Sequence, residues 1–206
     1  MKSVSRRGIV KGIAALAALP MYSRSSIAAV FTPSATEGPF YPETSMRFPD
    51  IDNDLVKVAG AVEQAGGEII HLKGKILSKA GLPLTGHRIE IWQCDVNGKY
   101  LHTGDDRNVT YDSGFQGFGH DVTDEEGNYR FRTIKPTVYP GRTPHIHVKV
   151  FDGDRELLTT QFYIAGDSRN QADSIFRRMS KSEADSVSME FVENNNRVET
   201  RVDVVV

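Results

Sequence analysis

Residues 135–150 read KPTVYPGRTPHIHVKV, and within them His145 and His147 are separated by a single isoleucine. On a β-strand, residues two apart project from the same face, so these two imidazoles stand side by side. Tyr139 lies just upstream, across a Pro140-Gly141 turn, and Tyr100 directly follows the run IEIWQCDVNGK. If the chain folds both tyrosines back onto the histidine strand, two neutral nitrogens and two phenols form one donor set. A phenol ionises near pH 10 in water, but a trivalent cation can hold it as phenolate at neutral pH. Hard anionic oxygens beside imidazole suit ferric iron better than zinc, whose usual protein ligands are Cys, His and carboxylate. The residues alone leave two other readings open. One is a pair of hydrogen-bonded strand histidines with a packing tyrosine; the other is a zinc or copper centre in a hydrolase or oxidase.

The remaining candidates are plainer. His71, His87 and His102 read as strand or surface residues, whereas His120 closes a long loop and could approach a pocket. Cys94 is the single cysteine, so no disulfide forms within the chain. It sits in an alternating apolar run, which reads as a buried strand position rather than a thiol nucleophile. Trp92 on the same run reads as core. The net charge of −2 comes from 25 basic and 27 acidic residues with no basic block, which argues against a nucleic-acid partner.

Five segments alternate with the period of a strand: EIIHLKGKIL, HRIEIWQCDV, GNYRFRTIKP, HIHVKVFDG and ELLTTQFYIAG. The stretch SMEFVENNNRVETRVDVVV reads as a hairpin turning at residues 194–196, and NQADSIFRRMSK (170–181) carries the only helical spacing. Between strands, residues 100–120 form a glycine-rich loop long enough to be functional. Many short strands with Gly and Pro punctuation predict an all-β, single-domain β-sandwich over residues 68–206, with one short C-terminal helix. Residues 29–67, rich in Pro, Ser and Thr, predict an irregular N-terminal arm lying over the sandwich surface.

Residues 1–28 have a basic start, an apolar run from Ile13 to Leu19 and small residues near Ala28, the pattern of an export signal too short to span a bilayer. Ser5-Arg6-Arg7 followed by Lys11 fits the twin-arginine route, so the expected location is periplasmic or extracellular. Loss of this segment would remove five basic residues and no acid, leaving a more acidic protein.

Taken in order, TEGPFYP, IEIWQCDVNGKY, FGHDVTDEEGNYRFRTIKPTVYP, RTPHIHVKV and LLTTQFYIAGD resemble the intradiol ring-cleavage dioxygenases, the family of the protocatechuate and catechol dioxygenases, over most of residues 36–168. The resemblance implies one non-haem Fe(III) per chain, held by Tyr100, Tyr139, His145 and His147. It implies that Tyr139 is the ligand displaced when substrate binds, that Arg142 stabilises the carbanion-like substrate, and that Gln161 and Pro39 border the pocket. The implied partners are a small aromatic ortho-diphenol and O2, and the implied product is a cis,cis-muconate-type diacid; a homo-oligomer is compatible with the family. Only Pro140 and Gly141 separate Tyr139 from Arg142, fewer residues than in the protocatechuate enzymes, which predicts a more open pocket rim. The strand pattern and the DEEG turn also resemble a transthyretin-like or carboxypeptidase-regulatory binding module, the alternative reading.

Overall fold

Strand alternation builds two five-stranded sheets in the computed structural model, which describes residues 30–206; the export signal read at 1–28 lies outside the described residues. In the first sheet, β1 (Ile69–Leu77) pairs antiparallel with β4 (Asn128–Ile134) on one side. On its other side it pairs parallel with β9 (Arg197–Arg201) and β10 (Val204–Val205), and β8 (Val192–Asn194) lies beyond β9. The second sheet has the order β3 (Phe118–Val122), β2 (Arg88–Trp92), β5 (His145–Asp152), β6 (Arg155–Ile164), β7 (Ser188–Met189). The predicted hairpin turns at Asn195 and Asn196, whose φ values of 48° and 61° are those of a two-residue turn matched to strand twist.

The facing sides of the sheets close on one core. Ile70, Leu72, Ile76, Tyr129 and Phe131 come from the first, and Ile89, Ile91, Ile146, Val148, Val150 and Phe162 from the second. Each such side chain contributes roughly 1.5–3 kcal/mol through removal from water. Strand β5 is central and is buried at every residue from His145 to Val150, so both of its faces are covered. Its inner face meets the core. Its outer face meets a second cluster of Trp92, Cys94, Tyr100 and Phe118, with Phe40, Tyr41, Ile51 and Tyr139 packed against it.

The predicted helix over residues 170–181 is not there. The segment forms 3-10 turns at Ser168–Gln171 and Phe176–Arg178, and the one α-helix among the described residues, α1, spans Lys181–Ser186. Asp173 accepts the backbone N–H groups of Ile175 at 2.9 Å and Phe176 at 3.0 Å, a local competitor for helical bonds. The helix starts where Ser180 and Glu183 form a capping box.

Strand β3 takes in Phe118–His120, which the sequence reading assigned to the loop. Gly119 suggests a loop, but it is needed where the arm crosses the sheet: a Cβ there would lie 2.5 Å from the Asp52 carbonyl oxygen and 2.6 Å from Leu55 Cδ1. Nor does the arm lie only on the surface. It is irregular apart from a 3-10 turn at Thr44–Met46, yet Leu55 and Val56 are fully buried in the main core. Cys94 is buried as expected, two residues beyond the end of β2. No helix among the described residues is long and apolar enough to cross a membrane.

Gly119→Ala should therefore destabilise the protein by about 1–3 kcal/mol through overpacking against the arm. Urea unfolding would measure it, and an unchanged midpoint would mean that the arm does not lock over β3.

Candidate metal centre

Register on the second sheet sets the site. On the outer face, His147 stands between Gln161 of β6 and Trp92 of β2, and His145 stands opposite Tyr163. The His145 and His147 Nε2 atoms are 3.0 Å apart. His145 Nδ1 lies 2.7 Å from the Thr143 carbonyl oxygen, a contact that requires the proton on Nδ1 and leaves a lone pair on Nε2. Trp92 stacks on the His147 ring at 4.7 Å with planes 12° apart, which fixes that ring's orientation.

Tyr100 is delivered by a tight turn after β2. Asp95 accepts the backbone N–H groups of Asn97, Lys99 and Asp112 at 2.9, 2.8 and 2.6 Å, which folds the chain back. Gly98 in that turn has φ 71°, and a Cβ on it would lie 2.5 Å from the Val138 carbonyl oxygen, so only glycine lets the Tyr139 segment pass this closely. The Tyr100 N–H then donates to Asp105 Oδ2 at 2.9 Å, and Arg107 bonds the same carboxylate through Nε and Nη2 at 2.8 and 2.6 Å. Thr137 donates to the Asp95 carbonyl at 2.6 Å, tying the Tyr139 segment to the Tyr100 turn. As a result the Tyr139 ring lies 5.3 Å from that of Tyr100 and 5.7 Å from that of His145.

Tyr100, Tyr139, His145 and His147 therefore converge. Arg142 and Gln161 adjoin them, joined by an Arg142 Nη2 to Gln161 Oε1 bond of 2.6 Å. Pro39 is exposed in a turn of the arm, beside its neighbours Gly38 and Phe40, which reach the site. Phe40 stacks on Tyr100 at 4.7 Å, and a Cβ on Gly38 would come within 3.2 Å of His147 Cε1. Gln161 Nε2 donates to the Thr36 carbonyl at 2.9 Å, Lys149 pairs with Glu37 at 2.6 Å and the Tyr41 hydroxyl donates to Glu90 at 2.6 Å, all holding the arm down.

The other candidates separate from the centre. His71 lies on the first sheet, His87 precedes β2, and His120 faces Glu90 two cross-strand rows away from Trp92. His102 comes closer than its plain reading allowed, its ring 5.8 Å from Phe40. Burial pushes the Cys94 thiol up to about 11, which disqualifies it as a nucleophile. Asp173 was missed because it sits in a stretch with helical spacing. Its carboxylate pairs with Arg142 Nε at 2.7 Å. Phe40 and Gly38 were within a quoted motif, but nothing in the sequence placed their contacts.

The electrostatics fit a cation. Burial, then Arg142, lowers His145 to about 4, and burial with the neighbouring His145 and Arg142 drives His147 well below its usual value. Both imidazoles are thus neutral donors. Burial raises Tyr100 well above the ordinary phenol value and raises Tyr139 too, opposed there by Arg142. The Tyr100 hydroxyl and His147 Nδ1 are buried with no hydrogen-bond partner. An orphaned polar atom of this kind costs about 1–3 kcal/mol, and loss of the hydroxyl proton with binding of a cation by the phenolate would relieve it at the tyrosine. Among the described residues no cluster of three or more His, Cys, Asp or Glu that could hold a metal occurs; the oxygen donors whose rings stand beside this histidine pair are the tyrosines. Two phenolates and two imidazoles fit ferric iron.

Asp105 gives a test of how Tyr100 is held. Burial alone would raise its carboxyl, but Arg107, the Tyr100 amide and Lys99 outweigh that and hold it at about 2. The unfolded value is about 3.9, so the stabilisation is full above that pH and is lost as pH falls toward the folded value. Asp105→Asn should be less stable than the parent at neutral pH, on the order of 1–2 kcal/mol with allowance for the partly exposed Arg107. In urea titrations the gap should close between about pH 4 and 2. A gap that persists to the acid end would mean that charge does not anchor this loop.

With this geometry in view, known proteins can be compared. The Dioxygenase_C family model, described as Dioxygenase, matches residues 36–205. The protocatechuate 3,4-dioxygenase beta chain of Burkholderia cepacia is 36% identical over 149 residues, 68% of this chain and 63% of that one. Catechol 1,2-dioxygenase of Candida albicans is 29% identical over 70% of this chain and 51% of its own. The chain thus spans between about half and two thirds of the length of these curated relatives. Among solved structures, the dioxygenase domain of a dioxygenase carbohydrate-binding protein fusion from Streptomyces sp. SirexAA-E superposes with a TM-score of 0.64 at 31% identity, covering 86% of this chain and 98% of that one. An intradiol ring-cleavage dioxygenase from Tetranychus urticae shares the fold, with a TM-score of 0.63 at 22% identity over 86% and 94% of the two chains. A match over nearly the whole sandwich and arm, to proteins of this one kind, makes the chain a member of the intradiol ring-cleavage dioxygenase family.

Proposed function

We propose that this protein is a non-haem Fe(III) dioxygenase that opens the ring of an ortho-diphenol between its two hydroxylated carbons, with both atoms of O2 entering a cis,cis-muconate-type diacid. The observation that carries this reading is the buried, partnerless Tyr100 hydroxyl beside two imidazoles whose Nε2 atoms lie 3.0 Å apart. The reaction balances without an external reductant, because the diphenol supplies the electrons that O2 takes up.

Tyr100, Tyr139, His145 and His147 would hold the iron, which when bound supplies Lewis acidity that makes the diphenol dianion accessible at neutral pH. The chain divides the remaining tasks. His145 and His147 are held neutral and cannot rotate, one pinned by Thr143 and the other by Trp92. Tyr100 is fully enclosed and stays in place. Tyr139 is half-buried and next to Arg142, so held as phenolate by the iron it would be the oxygen placed to take a proton from the incoming hydroxyl. The Arg142 guanidinium offers positive charge where the ring becomes electron-rich. Phe40 and Trp92 wall the site with aromatic surface and keep water from its rear. A binding module would account for the sheets and turns but gives no reason for these side chains to converge.

The purified protein should carry about one iron per chain and a red-brown tyrosinate charge-transfer colour that shifts when catechol is added without oxygen. With air, catechol should give a muconate absorbance, and Tyr139→Phe should slow it on the order of 10²-fold. A protein that stays colourless after ferric loading would sink the proposal. On the pattern of residues 1–28 we further propose export by the twin-arginine route. Replacing Arg6 and Arg7 together with Lys should then keep the protein in the cytoplasm, whereas unchanged export would rule that route out.

A further inference from the structure

Arg142 does not stand free in the site. Its side chain is 14% exposed, and the Asp173 carboxylate beneath it is fully enclosed. Asp173 Oδ2 accepts from Arg142 Nε at 2.7 Å and from the Thr143 N–H at 3.1 Å. Asp173 Oδ1 accepts from the Ile175 and Phe176 N–H groups at 2.9 and 3.0 Å and lies 3.5 Å from Arg142 Nη2. The carboxylate is thus immobilised from two directions before it meets the arginine.

Its grip has a consequence at both neighbouring residues. The Nε edge of the guanidinium is taken by Asp173, and Nη2 reaches Gln161 Oε1 at 2.6 Å. Among the described residues Nη1 has no carboxylate or carbonyl acceptor. The same carboxylate fixes the Thr143 amide. The Thr143 carbonyl accepts from His145 Nδ1 at 2.7 Å, and its hydroxyl donates to Asn170 Oδ1 at 2.7 Å. One buried side chain therefore orients the arginine and braces the residue that orients a histidine.

We infer that Asp173 is the positioning residue for Arg142: it neutralises the back edge of the guanidinium and leaves the Nη1 edge aimed at the substrate ring. The inference rests on the ring-cleavage reading for its catalytic consequence, while the positioning itself does not. An asparagine at 173 loses the charge and, whichever way its amide turns, sets an NH2 against two existing donors, either Arg142 Nε and the Thr143 N–H or the Ile175 and Phe176 N–H groups, with little change in volume. A glutamate keeps the charge one methylene too long.

The experiment compares Asp173→Asn and Asp173→Glu with the parent in the Arg142 and the Arg142→Gln backgrounds. Turnover is expressed per bound iron, and a second reading is the solvent exchange of the Arg142 Nε–H by nitrogen-15 NMR of the full chain. Expected for Asp173→Asn is a kcat per iron reduced about ten- to hundredfold with KM within a few-fold, and a Nε–H that exchanges much faster. Asp173→Glu should recover part of both. In the Arg142→Gln background the same change should cost almost nothing further in kcat per iron, because the effect on turnover runs through the arginine while the bracing of Thr143 and His145 is read in iron content. A purely structural role would lower iron content or melting temperature but leave kcat per iron unchanged, which would overturn the inference. Full additivity of the two changes would overturn it as well. If Asp173→Asn does not fold, Asp173→Glu carries the comparison. A parent without ring cleavage whose Nε–H still depends on Asp173 would remove the catalytic reading and retain the positioning one. An Nε–H that exchanges equally fast in all variants would remove both.

Discussion

Two neutral imidazoles occupy adjacent outward positions on a strand that is buried on both faces, and their Nε2 atoms confront each other at 3.0 Å. Neither ring can be hydrated where it is, and burial of a polar nitrogen without a partner is costly. The rest of the outer face is arranged around that constraint. Thr143 takes the far nitrogen of His145, Trp92 covers the face of His147, and the arm brings Gly38 against its edge because a side chain there would crowd the ring. Tyr100 and Tyr139 close the remaining side with oxygen. What is left is a group of nitrogen and oxygen donors enclosed by aromatic side chains, with Arg142 and Gln161 beside them.

The donors reach this place by two different routes. The histidines come from a strand, where register alone positions them. The tyrosines and Arg142 come from irregular segments; buried aspartates hold those of Tyr100 and Arg142, and Thr137 ties that of Tyr139 to the Asp95 carbonyl. Asp95 shapes the turn before Tyr100, Asp105 holds the Tyr100 amide, and Asp173 holds Arg142 and Thr143. Ionised carboxylates with several N–H donors form stronger hydrogen bonds than neutral groups do. They give these loops some of the rigidity that a sheet gives its strands, which a site built to sub-ångström tolerance requires.

The N-terminal arm is part of this arrangement rather than a trailing segment. Leu55 and Val56 enter the main core, while Phe40 and Tyr41 complete the aromatic cluster above β5. Polar ties through Thr36, Glu37 and Tyr41 hold residues 36–41 onto the second sheet. The wall of the pocket thus depends on segments far apart in the chain.

Local pattern determined a good deal of this protein. The period of two in HIHVKV put both histidines on one face, and the same period placed β1, β2, β4, β5 and β6; the asparagine turn joined β8 to β9. The ordered motifs from TEGPFYP to TTQFY named Tyr100, Tyr139, Arg142, His145, His147 and Gln161, and the fold brings all six together. Tertiary structure decided the rest, because those outcomes rest on contacts across long separations in the chain. Gly119 belongs to a strand since the arm crosses it, which no residue near Gly119 records. The helical spacing of 170–181 yields to Asp173, whose carboxylate serves Arg142 thirty-one residues away and so takes up the backbone groups that a helix would have used. Periodicity encodes which face a side chain occupies. Which distant segment will cover that face is settled only when the sheets, the arm and the loops compete for the same buried space.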